Sequence, residues 1–185
     1  MKFFHSVLVI ATSWFILGCA ASQPQQTEPV PETPPQSPWS GTRVSRAQVP
    51  PVYLDVWGRA ENRASCALLV PAQPLPDAAN AVSRPATFSG GWAVAYDVPG
   101  ERSAFGIAGS GSNAWSGDIY DAWPHKITYA DGSSVGYGLE GGTGPNWLAY
   151  VKIPGQQCLY NIWSRRGRTH LEQLLASLRF AQTAE

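Results

Sequence analysis

The sequence has little charge and no net charge. Only 14% of its 185 residues are charged, and the 13 basic and 13 acidic side chains cancel. A nucleic-acid partner requires a surplus of positive charge to neutralise phosphates, so this balance argues against nucleic acid. The polar surface must come mainly from uncharged side chains and the backbone, which suits an all-β or α+β protein.

The sequence also lacks the usual signatures of a catalytic or cofactor site. Gly136, Gly138 and Gly141 match the three-glycine dinucleotide pattern, but Gly142-Thr143-Gly144-Pro145 follows where that pattern needs a helix. We therefore expect a flexible hairpin connection there, and no cofactor or metal. The flanking glycines of a Gly-x-Ser-x-Gly nucleophile elbow are missing around three serines, Ser110, Ser112 and Ser116.

A short apolar run at the N-terminus ends on a cysteine. Residues 3–17 are mostly apolar, and Gly18, Cys19 and two alanines follow. As a helix this run would span about 22 Å, which is too short for a bilayer core of about 30 Å. The segment is therefore typical of an export signal that is absent from the mature chain.

Phe15-Ile16-Leu17-Gly18-Cys19 resembles the lipobox of bacterial lipoproteins, and the resemblance covers residues 1–19. It implies that residues 1–18 are a signal peptide and that Cys19 becomes the acylated first residue of the mature protein. With Ala20 next, it also implies an outer-membrane anchor and a domain facing the periplasm. The alternative is an ordinary signal peptide that is cut at another small residue.

Residues 19–51 are rich in proline, glutamine, serine and threonine. Such a segment buries too little apolar surface to offset its ordering entropy, so the composition predicts a disordered tether. Trp39 is the one large side chain in it, and is either a docking point or incidental. The remaining residues, 52–185, have the length of a single domain.

Cys66 and Cys158 remain once Cys19 is assigned to lipid. An even pair in an exported protein predicts a disulfide. It would close a loop of 92 residues (158 − 66), and the chain-entropy model gives such a loop about 4 kcal/mol of stabilisation. The alternative is a reactive thiol, which no neighbouring residue favours.

The folded part is predicted to be α+β, with an antiparallel β-meander sheet covered by a C-terminal helix. Val52–Trp57 and Cys66–Val70 are predicted strands, and a short helical turn is predicted over Asp77–Ser83. Three hairpins follow, turning at Pro99-Gly100, Asp131-Gly132 and Pro154-Gly155. A two-residue turn at Asp131-Gly132 would place Ile127 opposite Gly136 and Tyr129 opposite Ser134.

The C-terminal helix has the clearest pattern in the chain. Thr169 and Glu172 have the spacing of a capping box. Leucines recur on one face, at Leu171, Leu174, Leu175 and Leu178. This helix, with the strand before it and Ser177-Leu178-Arg179-Phe180 after it, is similar to the end of Mog1/PsbP-like domains, a similarity that carries no function across.

Tryptophans and polar side chains in glycine-rich loops form the candidate binding site. Aromatic faces there could stack on a sugar or grip a partner, whereas the alternative is that they pack the ends of the sheet. The carboxylates and imidazole nearby could bind a cation or act as acid and base, or be a solvated loop. His170, in the first turn of the helix, is expected to be solvated. Arg165, Arg166 and Arg168, before it, are expected to form a solvated turn, the alternative being a contact with lipid headgroups or anionic glycan. The candidates are Trp115, Trp123, Trp147, Asp118, Asp121 and His125.

Two functions follow from these observations. The first is a non-enzymatic envelope lipoprotein that binds an envelope protein or cell-wall glycan through its aromatic loops. The second is a glycosidase-like periplasmic hydrolase that uses Asp118, Asp121, Glu140 or His125, with two carboxylates about 5 to 9 Å apart. The first is favoured, because no nucleophile or metal cluster supports the second.

Lipidation of Cys19 can be tested directly. Mass spectrometry of the mature protein should show an acylated cysteine as its first residue, because acyl chains are what would hold the protein on a membrane. A free thiol at position 19, or a product released into the medium, would contradict the prediction.

Overall fold

The computed structural model describes residues 33–72, 80–86, 90–110 and 123–183. The described part is α+β, as predicted: a seven-stranded antiparallel sheet, a two-stranded sheet and two α-helices. The nine strands are β1 (Leu69–Pro71), β2 (Val82–Ala86), β3 (Trp92–Val98), β4 (Glu101–Ser110), β5 (His125–Thr128), β6 (Ser134–Leu139), β7 (Trp147–Lys152), β8 (Leu159–Ser164) and β9 (Leu178–Phe180). The helices are α1 (Pro51–Arg59) and α2 (Arg168–Ser177), with short 3-10 helices at Pro38–Ser40, Arg46–Gln48 and Glu140–Gly142.

The large sheet consists of two meanders placed side by side. Its strand order is β2-β3-β4-β8-β7-β6-β5, so β4 pairs with β8 and not with the next strand along the chain. The hairpins predicted at Pro99-Gly100 and Pro154-Gly155 are confirmed. β1 and β9 form the separate two-stranded sheet, so the predicted Cys66–Val70 strand forms only in its last residues.

The predicted register of the β5–β6 hairpin is wrong by one residue. Ile127 lies opposite Val135, and Thr128 lies opposite Ser134. The backbone N–H of Tyr129 donates to the Ser133 carbonyl, which leaves a three-residue loop in which Gly132 has φ +78°. Such a loop combines a turn with a left-handed residue, and glycine adopts that conformation without steric cost.

The first predicted strand, Val52–Trp57, is also wrong, since these residues lie in helix α1. Proline at the start of α1 suits the first helical turn, where no hydrogen-bonding N–H is needed. Tyr53 and Val56 are buried, three residues apart, as expected for the inner face of a helix. The alternation of Val52, Leu54 and Val56 therefore suggested a strand, although the buried residues have the spacing of a helix. Val82 and Ser83, placed in a helical turn by the sequence, begin strand β2, and residues 73–79 lie outside the described part.

The prediction of a disordered tether over residues 19–51 is wrong for residues 33–51. Trp39 is only 2% exposed, lies 5.1 Å from the Tyr129 ring and donates from its indole Nε1 to Ser133 Oγ (3.2 Å). Ser37 donates to the Asp131 carboxylate, and Val44 forms a parallel bridge with Ala181. Burial of one large aromatic side chain together with these hydrogen bonds holds the segment on the domain.

Both helices lie on one face of the large sheet. The Tyr53 hydroxyl on α1 is hydrogen-bonded to that of Tyr96 on β3, and the Tyr96 ring is stacked on Phe105 at 4.5 Å. Phe105 in turn contacts His170 on α2. The predicted leucine face of α2 is buried in Leu171, Leu174 and Leu175, whereas Leu178, also buried, follows the helix as the first residue of β9. Among the described residues, no helix has the length and apolar character needed to cross a membrane.

The other face of the large sheet is lined by small residues beneath tryptophans. The Trp163 ring occupies the space that a Cβ at Gly106 would need, and Trp123 and Pro124 cover Gly138 in the same way. Aromatic side chains therefore do cover small residues here, although not the pairs that the predicted hairpin register suggested.

The N-terminus of α2 does not have the predicted capping box. Gly167 is the N-cap residue, and no side chain caps the helix. Glu172 is engaged instead by Arg168 and by Tyr137 of β6. The sequence pattern predicted that the Glu172 carboxylate caps the helix terminus, but this carboxylate accepts hydrogen bonds from Tyr137 and Arg168 instead.

The predicted disulfide between Cys66 and Cys158 is present, with a Cα–Cα distance of 5.4 Å. It joins the segment before β1 to the segment before β8. Both cysteines are buried.

Removing this disulfide should destabilise the protein substantially. The double variant Cys66→Ala/Cys158→Ala should lose about 4 kcal/mol of unfolding free energy, because the unfolded chain regains the entropy of a 92-residue loop. Denaturant titration measures the loss, and reducing the native protein should shift the midpoint in the same direction. Equal midpoints for the native protein and the double variant would contradict the prediction.

Candidate functional site

Three aromatic side chains from neighbouring strands form a shelf at one end of the large sheet. We define the aromatic shelf as His125 of β5, Tyr137 of β6 and Trp147 of β7. The His125 ring lies 4.9 Å from the Tyr137 ring and 6.0 Å from the Trp147 ring, in both cases centroid to centroid. The imidazole and indole planes are within 24° of parallel, and the two rings form a stacked pair.

Strand pairing explains why these rings meet. His125 lies directly opposite Tyr137 in the β5–β6 ladder, and directly opposite residues project to the same side of a sheet. Trp147 lies opposite Leu139, one diagonal step from Tyr137, within reach of a long aromatic side chain. The pairing register of strands β5, β6 and β7 therefore brings the three rings of the shelf together.

Helix α2 supplies a charged edge to the shelf. The Tyr137 hydroxyl donates to Glu172 Oε1 (2.6 Å), and Arg168 Nε donates to the same oxygen (2.7 Å). The Arg168 guanidinium carbon lies 5.9 Å from the centroid of the Tyr137 ring, in a cation–π arrangement. Arg168 and Glu172 are four residues apart on α2, so they share one face of the helix.

These contacts set the charge state of the edge. The Tyr137 hydroxyl, and then the Arg168 guanidinium, hold the pKa of Glu172 below its ordinary value of 4.5. Burial, and then the bond to Glu172, raise the pKa of the Tyr137 hydroxyl. At neutral pH the edge therefore consists of a carboxylate, a guanidinium and a neutral phenol.

The shelf and its edge are open to solvent where a ligand would need them. Tyr137 is only 5% exposed and forms the base, whereas His125 and Trp147 are half-buried. The side chains of Arg168 and Glu172 are 48% and 38% exposed. Half-exposed ring faces beside charged hydrogen-bonding groups can hold a ligand that has both an apolar face and hydroxyl groups.

Of the three candidate binding residues that the structure describes, two lie together. His125 and Trp147 share the shelf, but Trp123 packs against Tyr150 (5.3 Å) on the opposite face. Trp123 therefore fits the alternative in which it packs the sheet. Trp115, Asp118 and Asp121 lie outside the described residues, so the carboxylate separation expected for a hydrolase is not described.

Two further residues named from the sequence lie in the described part; the role of Glu140 as an acid stays a prediction, and His170 differs from its prediction. Glu140, a candidate acid, accepts a hydrogen bond from Asn146 Nδ2 (2.7 Å) in the 3-10 turn after β6. His170, predicted to be solvated, is buried, and a hydrogen bond joins its Nδ1 to Ser164 Oγ (2.9 Å). It is buried because the first turn of α2 packs on Phe105 in the core.

Cofactor and metal chemistry find no support in the described geometry. Gly136 and Gly138 lie within β6, and only the 3-10 turn Glu140–Gly142 follows, so no helix N-terminus faces the glycines. In the part of the chain that the structure describes, no three His, Cys, Asp or Glu side chains are grouped so as to hold a metal ion.

Sequence analysis missed Tyr137, Arg168 and Glu172. The sequence pattern predicts a solvated basic cluster at Arg168 and a helix cap at Glu172, and it singles out no role for Tyr137. The correct hairpin register would have revealed Tyr137, because it places this residue opposite His125. With the predicted two-residue turn, Gly138 would have taken that place.

Replacing Tyr137 by phenylalanine should change how Glu172 titrates. Tyr137→Phe keeps the ring but removes the hydroxyl donor, so the pKa of Glu172 should rise toward 4.5. The native contribution of Glu172 to stability is complete above its unfolded pKa and is lost as the pH falls through the lower folded pKa. The variant should therefore lose less stability than the native protein over that acidic range.

NMR titration of the Glu172 carboxyl carbon measures this shift, and denaturant titrations at several pH values measure the stability. Tyr150→Phe is the matched control, since Tyr150 lies on the other face of β7 and should leave the Glu172 pKa unchanged. An unchanged Glu172 pKa in Tyr137→Phe would show that the hydrogen bond does not determine the charge of the edge.

Comparison with known proteins assigns the chain to no family. Neither a protein-family model, nor a curated protein, nor a solved structure matches it. The function of the shelf has to be inferred from its own residues.

Proposed function

We propose that the protein is a lipoprotein of the outer membrane whose domain faces the periplasm and binds cell-wall glycan on the aromatic shelf, without an enzymatic step. The observation that carries this proposal is the near-parallel arrangement of the His125 and Trp147 rings beside Arg168 and Glu172. A sugar ring has apolar C–H faces and a rim of hydroxyl groups. The aromatic rings can contact the faces, and Arg168 and Glu172 can form hydrogen bonds with the hydroxyl groups.

The shelf suits a sugar better than a fully apolar ligand. Aromatic faces stack on the C–H face of a sugar ring, and such contacts contribute beyond the buried area alone. The guanidinium of Arg168 can donate to ring hydroxyls, and the carboxylate of Glu172 can accept from them. Since both groups are already ordered by Tyr137, a ligand has little side-chain entropy to overcome.

The location rests on the N-terminal sequence, supported by one structural feature. The lipobox-like residues that end at Cys19, followed by Ala20, suggest acylation and sorting to the outer membrane. The Cys66–Cys158 disulfide is in keeping with an oxidising compartment such as the periplasm. Cell-wall glycan would be within reach of a domain anchored on that side.

Glycan binding should depend on the shelf and not on tryptophan in general. The full chain in detergent micelles should co-sediment with purified cell-wall glycan. Trp147→Ala and His125→Ala should each weaken binding about tenfold, because a stacked ring is lost. Trp123→Ala is the control, since this tryptophan lies on the opposite face; circular dichroism should show that all variants are folded.

Equal loss of binding in Trp123→Ala, or none in Trp147→Ala, would contradict the assignment to the shelf. Release of soluble sugar fragments would show a hydrolase instead. Retention of an envelope protein with no affinity for purified glycan would show a protein-binding module.

A further inference from the structure

A second concave surface lies at the other end of strand β7 from the aromatic shelf. It is a groove of about 350 Å³, within the size range of small-ligand sites. We call it the arginine groove, because Arg43 and Arg63 both line it. Its other lining residues are Trp57, Ala64, Ser65, Ala67, Leu68, Gly155, Gln156, Ala181 and Thr183.

The groove carries two arginines, and no carboxylate of the described residues lines it. No Asp or Glu is among its lining residues, and in the described part of the chain neither arginine forms an ion pair. The other described arginines close to acidic residues, such as Arg59 and Arg84, are paired with them. The Arg43 guanidinium carbon lies 5.4 Å from the centroid of the Phe180 ring, which holds it in place without neutralising it.

Gln156 adds an oriented donor to the groove. Its Oε1 accepts hydrogen bonds from the backbone N–H of Ala67 (2.7 Å) and from the Tyr160 hydroxyl (3.3 Å). An N–H donor can only be met by the oxygen of the amide, so the orientation of the amide is determined. Its Nε2 therefore points away from these partners and has two N–H groups to donate.

A hydrogen bond and the disulfide hold parts of the groove lining in place. Trp57 donates from Nε1 to the Cys66 carbonyl (2.9 Å), which holds its ring at the wall beside Leu68. The Cys66–Cys158 disulfide joins the two segments that carry Ser65 and Gln156. The backbone N–H of Gln157 also donates to the Ser65 carbonyl (2.8 Å). A site built this way needs little rearrangement to bind.

We propose that the arginine groove binds a small oxyanion, a carboxylate or a phosphate, carried on an apolar body. The two guanidinium groups and the Gln156 amide bind the anion, because guanidinium donors match the geometry of both oxyanions. The half-buried ring of Trp57 covers the apolar body. This site is separate from the aromatic shelf, so its failure would leave the proposed glycan binding untouched.

The charge requirement is tested with ligands matched in shape. N-acetyl-phenylalanine, its uncharged amide and phenyl phosphate are each titrated into the full chain in detergent micelles, and NMR chemical shifts or calorimetry report binding. The acid should bind at least about tenfold more tightly than the amide, because only the acid forms charge-assisted hydrogen bonds. Comparing the acid with phenyl phosphate identifies which oxyanion is preferred.

Arg63→Gln is the most informative variant, since Arg63 is exposed and forms no ion pair with another described residue. It should weaken binding of the acid about tenfold, and Arg43→Gln should do the same. Arg102→Gln, at the exposed start of β4, is the control for net charge and should bind as the native protein does.

The proposal is overturned if the acid and the amide bind equally, or if neither the acid nor the phosphate binds at millimolar concentration. It is also overturned if Arg63→Gln binds as the native protein does, or if Arg102→Gln loses as much affinity as Arg63→Gln. Arg43→Lys keeps the charge, so it separates a loss of charge at Arg43 from a loss of its contact with Phe180.

Discussion

The pairing of β4 with β8 is the interaction on which the rest of the structure depends. It joins the β2–β3–β4 meander to the β5–β8 meander and aligns Ile107 with Ile162 in the buried centre of the sheet. These strands are distant in the sequence, so their pairing has to overcome a substantial loop-closure entropy. The Cys66–Cys158 disulfide lies next to this junction and reduces that entropy in the unfolded chain.

One glycine shows how tightly the junction is built. Gly109 of β4 lies opposite Trp92 on one side and Tyr160 on the other. A Cβ at this position would lie 2.5 Å from Trp92 Nε1 and 2.6 Å from Cys66 Sγ. The missing side chain leaves room for both the largest core residue and the disulfide, so the junction tolerates no larger residue at Gly109 without movement of its neighbours.

The two proposed sites lie beyond opposite ends of strand β7 and differ in chemistry. At the Trp147 end of β7, aromatic rings meet a balanced pair of charges on α2. At the Gly155 end, the arginines lack a carboxylate partner among the described residues, and the disulfide holds the loops. A neutral ring-shaped ligand suits the first end, and an anion suits the second.

The sequence predicted the α+β class, the disulfide, two hairpins and the buried leucines of α2, since each depends on local patterns or on the number of cysteines. It missed the helical period at Tyr53 and Val56 and the burial of Trp39 and His170, because burial depends on contacts with residues that are distant in the sequence. Tertiary structure alone decided that Tyr137 faces His125 and that Glu172 binds Tyr137 and Arg168. The physical reason is that successive side chains of a strand point to opposite faces, so a shift of one residue changes every partner. The extra residue in the loop at Gly132 makes such a shift across the β5–β6 hairpin.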